Sequence, residues 1–540
     1  MKRDIPRLKR EVFDILIIGA GIHGATIAWA LSNSGYNTAL IDSHDFGAAT
    51  SANSLKIIHG GLRYLQHADF PRIRESVVSR KIFQKVAPYC VQNIPCVIPT
   101  RGIGFRSKPA LYAAMKFYNM LSFDKNCSLS ENQKILDGYT ISMKELLRIV
   151  PDITGNHISG GAVWYETLAE NSERLVLEFI HLAFQSGCAV GNYIRALKIN
   201  HFQNTVQGID AEDSLTGEKF EIKSKIIINS TGPYVNYLLK DFNTSRRIEV
   251  PLCKAVNIIV NKKLFNNYAV GLEGTRAFKD QYSMGRKGKR FFFFVPWKNH
   301  TMIGTTYNIY DDDPSRLKAE EKDLIEIVEE VNLIYPSANL KVDDLTFYHV
   351  GILPRDATQD PFSCEIQPAK KSHIIDEGTL SGVKGLYSIL SVKYTTAPTI
   401  AIKLVKLLKK MHPEISANSP IIRFAENMST NKEYNPLFNK YGRHSYMIED
   451  YSKKEISLKE KLFDGEDLTE AEIKYFIEEE CALRLEDIVF RRSDIGSYSF
   501  PGKNLLTALA FRMSMYLKWD KDKVNKEVED VISRYSPLKI

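Results

Sequence analysis

The stretch that decides the fold is Val12-Phe-Asp-Ile-Leu-Ile-Ile-Gly19-Ala-Gly21-Ile-His-Gly24. It begins as a continuous β-rich apolar run, which is typical of a parallel strand buried on both faces. A helix-like run follows, and after it Thr38-Ala-Leu-Ile-Asp42 reads as a second strand that ends in an acid. This order predicts one complete βαβ unit.

The three glycines of this unit each have a physical reason. Gly19 makes the tight turn, Gly21 lets the backbone approach a pyrophosphate, and Gly24 lets the helix pack closely on the strand. The positive end of the helix then faces the phosphates, and Asp42 is positioned for the hydroxyls of an adenosine ribose. These residues predict a dinucleotide site, but they do not separate FAD from NAD.

Residues 48–64 distinguish between FAD and NAD as the bound dinucleotide. A simple NAD-binding domain would continue with regular βα repeats, whereas this segment reads Ala-Ala-Thr-Ser-Ala-Asn-Ser-Leu-Lys-Ile-Ile-His-Gly-Gly-Leu-Arg-Tyr. It is irregular, basic and rich in small residues, which favours a flavin.

Composition limits the classes of protein and partner. A chain of 540 residues is too long for one core and predicts two or three lobes. The seven cysteines are scattered without a C-x-x-C or metal-ligand spacing, which predicts no metal site and favours a reducing cytosol. The net charge of +8 is spread along the chain without a nucleic-acid motif, so no nucleic-acid partner is expected.

The C-terminal sequence is charged and helical. Thr469 and Glu472 form a candidate capping box before apolar residues at 473, 476, 477, 481, 485, 488 and 489, which predicts one amphipathic helix. Further helices are expected over residues 504–518 and after Asp520. Packing of these helices on each other and on the body is favoured, and a partner-binding or membrane-lying role is the alternative.

Five blocks in one order carry a resemblance to a known family. Residues 53–65, Asn-Ser-Leu-Lys-Ile-Ile-His-Gly-Gly-Leu-Arg-Tyr-Leu, are similar to "SSKLIHGGLRYL" of the FAD-dependent glycerol-3-phosphate dehydrogenases, a branch of the D-amino-acid-oxidase-like flavoproteins. The other blocks are 226–233, 290–297 with 303–306, 391–396, and 468–473 with 485–492. The resemblance covers residues 14–535.

The resemblance implies an α/β FAD-binding Rossmann-like domain, an antiparallel β substrate domain and a C-terminal α-helical cap. The FAD-binding domain would be discontinuous and comprise residues 1–95, 160–250 and 345–415. The substrate domain would comprise 96–159 and 251–344, where aromatic and β-branched residues cluster over 256–310. The cap would comprise 425–540.

The catalytic candidates are Lys393, Arg63 and His59. The resemblance implies that the helix after Thr395 points its N-terminus at the flavin, so that Lys393 adds a full positive charge for the anionic reduced ring. Arg63 would bind a substrate phosphate, because a guanidinium matches phosphate oxygens in a fork. The alternatives are a solvated Lys393, an Arg63 paired with a carboxylate, and a structural His59.

The resemblance also implies the binding sets. The FAD-binding candidates are Gly19, Gly21, Gly24, Asp42, Ser54, Gly60, Gly61, Thr231, Gly232, Lys393 and Thr395. The substrate-binding candidates are Arg63, Arg355, Lys371, Asn257 and Thr395.

Three departures from the family pattern concern the site. The arginine that ends the family's "TTYR" is absent, since Ala397-Pro398 follow the threonines. Asn257 stands where the family has a histidine, and Leu353 stands where it has an arginine. Asparagine can form hydrogen bonds but cannot take a proton near neutral pH. Arg355, two residues later, is the candidate that compensates for Leu353, and Lys371 stands near another arginine of the family.

We therefore expect an FAD-dependent dehydrogenase or oxidase that takes a hydride from an alcohol carbon of a small anionic substrate and passes electrons to quinone or oxygen. The alternatives are another hydroxy acid, sugar phosphate or amine as substrate, or a flavin-binding protein without catalysis. The apolar run at residues 15–18 is too short to cross a bilayer. A cytoplasmic location is expected, with a peripheral contact at the inner face of the membrane left open.

Overall fold

A computed structural model describes residues 1–155, 157–240, 250–279, 287–357, 365–415, 436–462 and 467–539. Its α-helices are α1 (Ile5–Arg10), α2 (Ile22–Asn33), α3 (Phe70–Val86), α4 (Lys108–Leu121), α5 (Met143–Ile149), α6 (Ser172–Gln185), α7 (Val235–Leu239), α8 (Glu321–Ile334), α9 (Glu377–Leu380), α10 (Ala397–Met411), α11 (Pro436–Tyr441), α12 (Ser445–Lys454), α13 (Glu470–Glu480), α14 (Lys503–Leu517) and α15 (Lys521–Ser533). Its strands are β1 (Val12–Ile18), β2 (Thr38–Ile41), β3 (Ile57–Ile58), β4 (Val91–Arg101), β5 (Tyr139–Ser142), β6 (Ile158–Ala169), β7 (Ala189–Gly191), β8 (Ile194–Phe202), β9 (Thr205–Asp213), β10 (Lys219–Asn229), β11 (Leu252–Val260), β12 (Ala269–Lys279), β13 (Lys287–Trp297), β14 (His300–Tyr310), β15 (Leu345–Pro354), β16 (His373–Asp376) and β17 (Leu386–Leu390).

The predicted βαβ unit is confirmed as β1, α2 and β2. It lies in a sheet of order β16-β17-β10-β1-β2-β7, in which β1 pairs in parallel with both β10 and β2. Successive side chains of a strand point to opposite faces. Accordingly Ile15 and Ile17 join the core that contains α2 and α6, whereas Leu16 and Ile18 join the core on the other face.

The second sheet has the order β15-β11-β14-β13-β12-β4-β6-β3, with β5 paired to β6. The block predicted to be antiparallel forms β11 to β14, whose neighbouring strands pair antiparallel. The pairing of β12 with β4 is parallel, so the sheet as a whole is mixed. One face packs against α8 through Ile327 and Val331.

Strand pairing assigns two segments differently from the sequence. Strands β6 and β15 belong to the second sheet, whereas the sequence groups residues from 160 and from 345 with the FAD-binding segments. The expected start of the cap at residue 425 lies outside the described residues.

The C-terminal region is a group of helices, with one correction. The capping box of Thr469 and Glu472 is confirmed. The single amphipathic helix predicted through residue 489 is wrong, because α13 ends at Glu480 and Cys481 takes a left-handed backbone conformation with φ of 55°. A separate π-helical turn, Asp487–Arg492, follows. Apolar spacing continues across this break, so it could not reveal the change in backbone direction. In the described ranges, no helix combines the length and apolarity that a bilayer span requires.

Candidate active site

The glycine-rich turn lies between β1 and α2. Gly19 has φ of +97°, and a Cβ there would come within 2.6 Å of the backbone oxygen of Ser230, while a Cβ on Gly24 would come within 1.8 Å of the oxygen of Gly19. Gly21 is the N-cap of α2 and supplies no side-chain cap. The first amides of a helix need outside partners, and the backbone N–H of Ile22 donates to Ser51 Oγ at 2.9 Å. This turn can therefore accept a pyrophosphate.

Asp42 follows β2 at the same edge of the sheet. Its Oδ2 accepts from the backbone N–H of Ala20 at 2.7 Å, and its Oδ1 accepts from that of His44 at 2.9 Å. Thr231 and Gly232 follow β10, next to Gly19, at the carboxyl ends of the parallel strands where such sheets bind ligands. The predicted nucleotide residues thus come together.

The His59-Gly60-Gly61 turn rests on a buried carboxylate that the sequence analysis missed. Glu166 of β6 accepts from the backbone N–H of Gly60, lies 3.3 Å from Arg80 Nη1 and lies 3.8 Å from His59 Nδ1. Gly61 has φ of +90°, which favours glycine. The signal in the sequence is an acid that follows two aromatic residues in a mostly apolar strand, Trp164-Tyr-Glu166.

Lys393 lies just before α10, beside the same turn. Its Nζ contacts the hydroxyl of Tyr64 and is 4.4 Å from the centroid of the Tyr64 ring. Burial, together with the charges of Arg72, Arg63 and Lys370, lowers the pKa of Lys393 to about 7. Lys393 therefore belongs to a basic cluster, which we define as Arg63, Arg72, Lys370 and Lys393.

Two contacts join this lysine segment to the nucleotide half of the site. His23 Nε2 of α2 lies 3.2 Å from the backbone oxygen of Lys393. Thr395 Oγ1 accepts from the backbone N–H of His59 at 3.3 Å. The start of α10, the glycine-rich helix and the His-Gly-Gly turn therefore form one wall.

Ser54 stays a predicted FAD-binding residue. Its Oγ accepts from the backbone N–H of Lys56 at 3.1 Å, which is a local turn contact. Ser51, three positions earlier in the quoted segment, makes the contact with the start of α2. The sequence could not distinguish them, because both are serines in the same irregular segment.

Among the substrate candidates, Arg63 is exposed. Burial lowers the pKa of Arg290, and the charge of Arg63 acts in the same direction. Arg290 was missed as a site residue. Its guanidinium lies 4.6 Å from the centroid of the Tyr307 ring, donates to the backbone oxygen of Thr305 at 3.0 Å and pairs with Glu365 at 2.5 Å. The guanidinium of Arg290 is therefore close enough to Arg63 for the two charges to interact.

The remaining substrate candidates are spread more widely. Asn257 is buried on β11, and its Oδ1 accepts from Thr305 Oγ1 at 2.7 Å. Arg355 is half-buried. Burial raises the pKa of Cys253 to about 12, although the charges of Arg290 and Arg355 act in the opposite direction. Lys371 is exposed, whereas its neighbour Lys370 is the residue whose charge affects Lys393.

A mixed sheet with a glycine-rich turn at the carboxyl ends of its parallel strands, joined to a cationic helix start and a second mixed sheet, is typical of dinucleotide-dependent oxidoreductases. Residues 14–401 match the family model described as FAD dependent oxidoreductase, so the chain belongs to this family. Residues 407–524 match the model described as the C-terminal domain of alpha-glycerophosphate oxidase. The resemblance seen in the sequence is confirmed, and so is FAD as cofactor.

Similar proteins cover from about two thirds to nearly all of this chain. A glycerol-3-phosphate dehydrogenase of Synechocystis sp. is 26% identical over 98% of this chain and 97% of its own. An alpha-glycerophosphate oxidase of Enterococcus casseliflavus is 30% identical over 65% of this chain and 56% of its own. The solved structure of the glycerol-3-phosphate dehydrogenase from Bacillus halodurans complexed with FAD has a TM-score of 0.72 at 21% identity, covering 98% of this chain and 96% of that chain. The last likeness shows a shared fold.

Proposed function

We propose that this enzyme oxidises sn-glycerol 3-phosphate to dihydroxyacetone phosphate. The observation that carries the proposal is the basic cluster around Lys393, which adjoins the wall formed by α2, α10 and the His-Gly-Gly turn. A phosphate monoester is a dianion that such a cluster attracts. The names of the relatives support the same substrate.

We propose the following division of labour. Gly19, Gly21 and Asp42 hold the adenosine diphosphate part of FAD, and the start of α10 with Lys393 faces the flavin. When bound, FAD supplies the hydride acceptor at flavin N5. Lys393 provides positive charge beside it, and Arg63 holds the substrate phosphate so that the alcohol carbon is oriented. The mixed nine-stranded sheet, including its antiparallel part, serves as the substrate domain, and the helices from residue 436 form the cap.

The test is anaerobic mixing of the FAD-bound protein with single substrates while the absorbance of oxidised flavin is recorded. We expect glycerol 3-phosphate to bleach the flavin and glycerol, which lacks the phosphate, to leave it oxidised. Bleaching by a hydroxy acid, another sugar phosphate or an amine instead would support the second candidate, which Asn257 and Leu353 favour. No bleaching by any of them would indicate flavin binding without catalysis.

The departures at Asn257 and Leu353 predict weak native turnover of glycerol 3-phosphate. A guanidinium contact to phosphate contributes about 1.5–3 kcal/mol, or roughly one to two powers of ten in affinity. We expect the double variant Asn257→His, Leu353→Arg to raise kcat/KM for glycerol 3-phosphate by about that factor in steady-state kinetics. Efficient turnover by the wild type, impaired by the double change, would instead identify Arg355 as the working phosphate ligand.

We further propose that electrons pass to quinone or oxygen and that the protein contacts a membrane peripherally. Exposed apolar side chains lie along helix α4 and its two flanks, and we define them as the apolar patch: Ile103, Phe105, Tyr112, Phe117, Met120 and Phe123. Three of these side chains, Ile103, Phe105 and Phe123, are 94%, 73% and 80% exposed. On the opposite face of α4, the Tyr118 hydroxyl donates to the backbone oxygen of Gly60 at 2.9 Å, so the patch lies behind the His-Gly-Gly turn. Exposed apolar patches of this kind bind lipid surfaces or partners.

The triple variant Ile103→Ser, Phe105→Ser, Phe123→Ser should bind anionic lipid vesicles at least about tenfold less tightly in a sedimentation assay. The reason is that each apolar side chain buried in lipid contributes up to ~1.5–3 kcal/mol. The matched control is Phe511→Ser with Met515→Ser, which removes exposed apolar side chains from α14. Equal binding by the triple variant and the wild type would remove the patch from the proposal.

A further inference from the structure

Asp45 lies in the loop after β2 and is fully buried. Its Oδ2 accepts from Arg491 Nε and from Arg492 Nη1, both at 2.5 Å. Its Oδ1 accepts from Arg492 Nη2 and from Asn192 Nδ2, both at 2.9 Å. Both carboxylate oxygens are therefore occupied, chiefly by two guanidinium groups from the C-terminal region.

These two arginines are themselves fixed within the C-terminal region. They end the π-helical turn Asp487–Arg492. Arg492 Nη2 also donates to the backbone oxygen of Glu480 at 2.6 Å, and Arg491 Nη2 donates to Asp487 Oδ1 at 2.6 Å. The guanidinium positions are thus set by the helices that surround them.

The Asp45 loop is equally fixed to the nucleotide edge. Asp42 accepts from the backbone N–H of Ala20 at 2.7 Å, and the backbone N–H of Gly47 donates to the oxygen of Ala20 at 3.0 Å. Both ends of the segment 42–47 are therefore hydrogen-bonded to the backbone of Ala20 in the glycine-rich turn. In between, Asp45 reaches the C-terminal region.

Electrostatics make this link persistent at neutral pH. Burial raises the pKa of Asp45, but Arg492 and Arg491 outweigh burial and lower it to about 2. Asp45 is therefore ionised near neutral pH. Removing one partner of a buried ion pair leaves an uncompensated charge, so this loop would have to rearrange.

We propose that Arg491 and Arg492 are positioning residues for the adenosine half of FAD. They hold Asp45, and through it the loop that presents Asp42 to the ribose, which makes the C-terminal region part of the FAD site. The inference rests on the role proposed above for Asp42, and it is independent of the identity of the substrate.

The experiment compares FAD-bound full-length wild type with Arg492→Met and Arg492→Lys. FAD affinity is measured from flavin fluorescence released on dilution, with ADP or FMN added as competitors. We expect Arg492→Met to weaken FAD binding by about tenfold or more and Arg492→Lys to weaken it less. FMN lacks the adenosine half, so in Arg492→Met it should compete with FAD about tenfold better than it does in the wild type. Competition by ADP should not improve, because ADP contains the half that the variant binds less tightly.

The matched control is Glu178→Gln. Glu178 of α6 is buried and lies 3.3 Å from Arg443 and 3.0 Å from His444, which also belong to the C-terminal region. We expect this variant to lower the melting temperature while leaving FAD affinity within about twofold of the wild type. A similar loss of melting temperature in Arg492→Met with unchanged FAD affinity would show that Arg492 only joins two parts of the fold and would overturn the proposal.

Two further variants keep the proposal testable. If Arg492→Met does not fold, Arg491→Gln and Asp45→Asn provide the same comparison between FMN and ADP. If an Asp42→Ala variant bound FAD as tightly as the wild type, Asp42 would not hold the ribose, and the proposal would be overturned. None of these outcomes depends on turnover of glycerol 3-phosphate, so they are distinct from failure of the proposed reaction.

Discussion

Replacing Lys393 by methionine should slow reduction of the bound flavin by substrate roughly ten- to thousandfold while FAD stays bound, because one charge that stabilises the developing anion is lost. Methionine keeps most of the aliphatic volume beside Tyr64, so packing changes little. Stopped-flow absorbance of the oxidised flavin measures the rate directly. Lys406→Met is the control, since Lys406 is exposed on the same helix, α10.

The pKa of Lys393 gives this prediction a pH dependence. Because burial and neighbouring cations lower that pKa to about 7, the charge of Lys393 is present below neutral pH and lost above it. We expect kcat/KM to fall as pH rises through about 7, and Lys393→Arg to remove this limb because arginine stays protonated. An unchanged reduction rate in Lys393→Met would instead show that the charge of Lys393 does not contribute to flavin reduction.

Replacing Glu166 by leucine should lower the free energy of unfolding by about 3–5 kcal/mol, because it leaves the buried guanidinium of Arg80 without its carboxylate. The turn at Gly60 would also lose its hydrogen-bond acceptor. Urea unfolding measures the difference, with Glu329→Gln on the exposed face of α8 as control. A loss below about 1 kcal/mol would show that Arg80 finds another partner.

The pH dependence of stability provides a second measurement of Glu166. Burial alone would raise its pKa, but His59 and Arg80 lower it below its usual value of 4.5. A carboxylate whose pKa is lower in the folded state stabilises the fold above its unfolded pKa, and this contribution disappears as pH falls through the folded pKa. We expect the wild type to lose stability below about pH 4.5 and Glu166→Gln to lack this part of the loss.

Much of the nucleotide half could be predicted from local sequence. The strand β1 and the turn at Gly19 and Gly24 depend on residues a few positions apart, so periodicity and residue type are sufficient. The capping box at Thr469 in the C-terminal region is local in the same way. Helix α10 also has a local signal, since Pro398 suits its first turn. The break at Cys481 was missed, because a left-handed residue leaves the apolar spacing on both sides unchanged.

The charged contacts that complete the site were decided by tertiary structure. Lys393 meets Tyr64 across 329 positions of sequence, and Arg80 meets Glu166 across 86. Arg492 meets Asp45 across 447 positions. Sequence by itself determined the βαβ unit, the glycine turn and the family, because hydrophobic period and turn chemistry act locally. Packing removes these ionised groups from water, and each of them then needs a charged partner. No local pattern specifies that partner, so only the tertiary structure shows which charges pair.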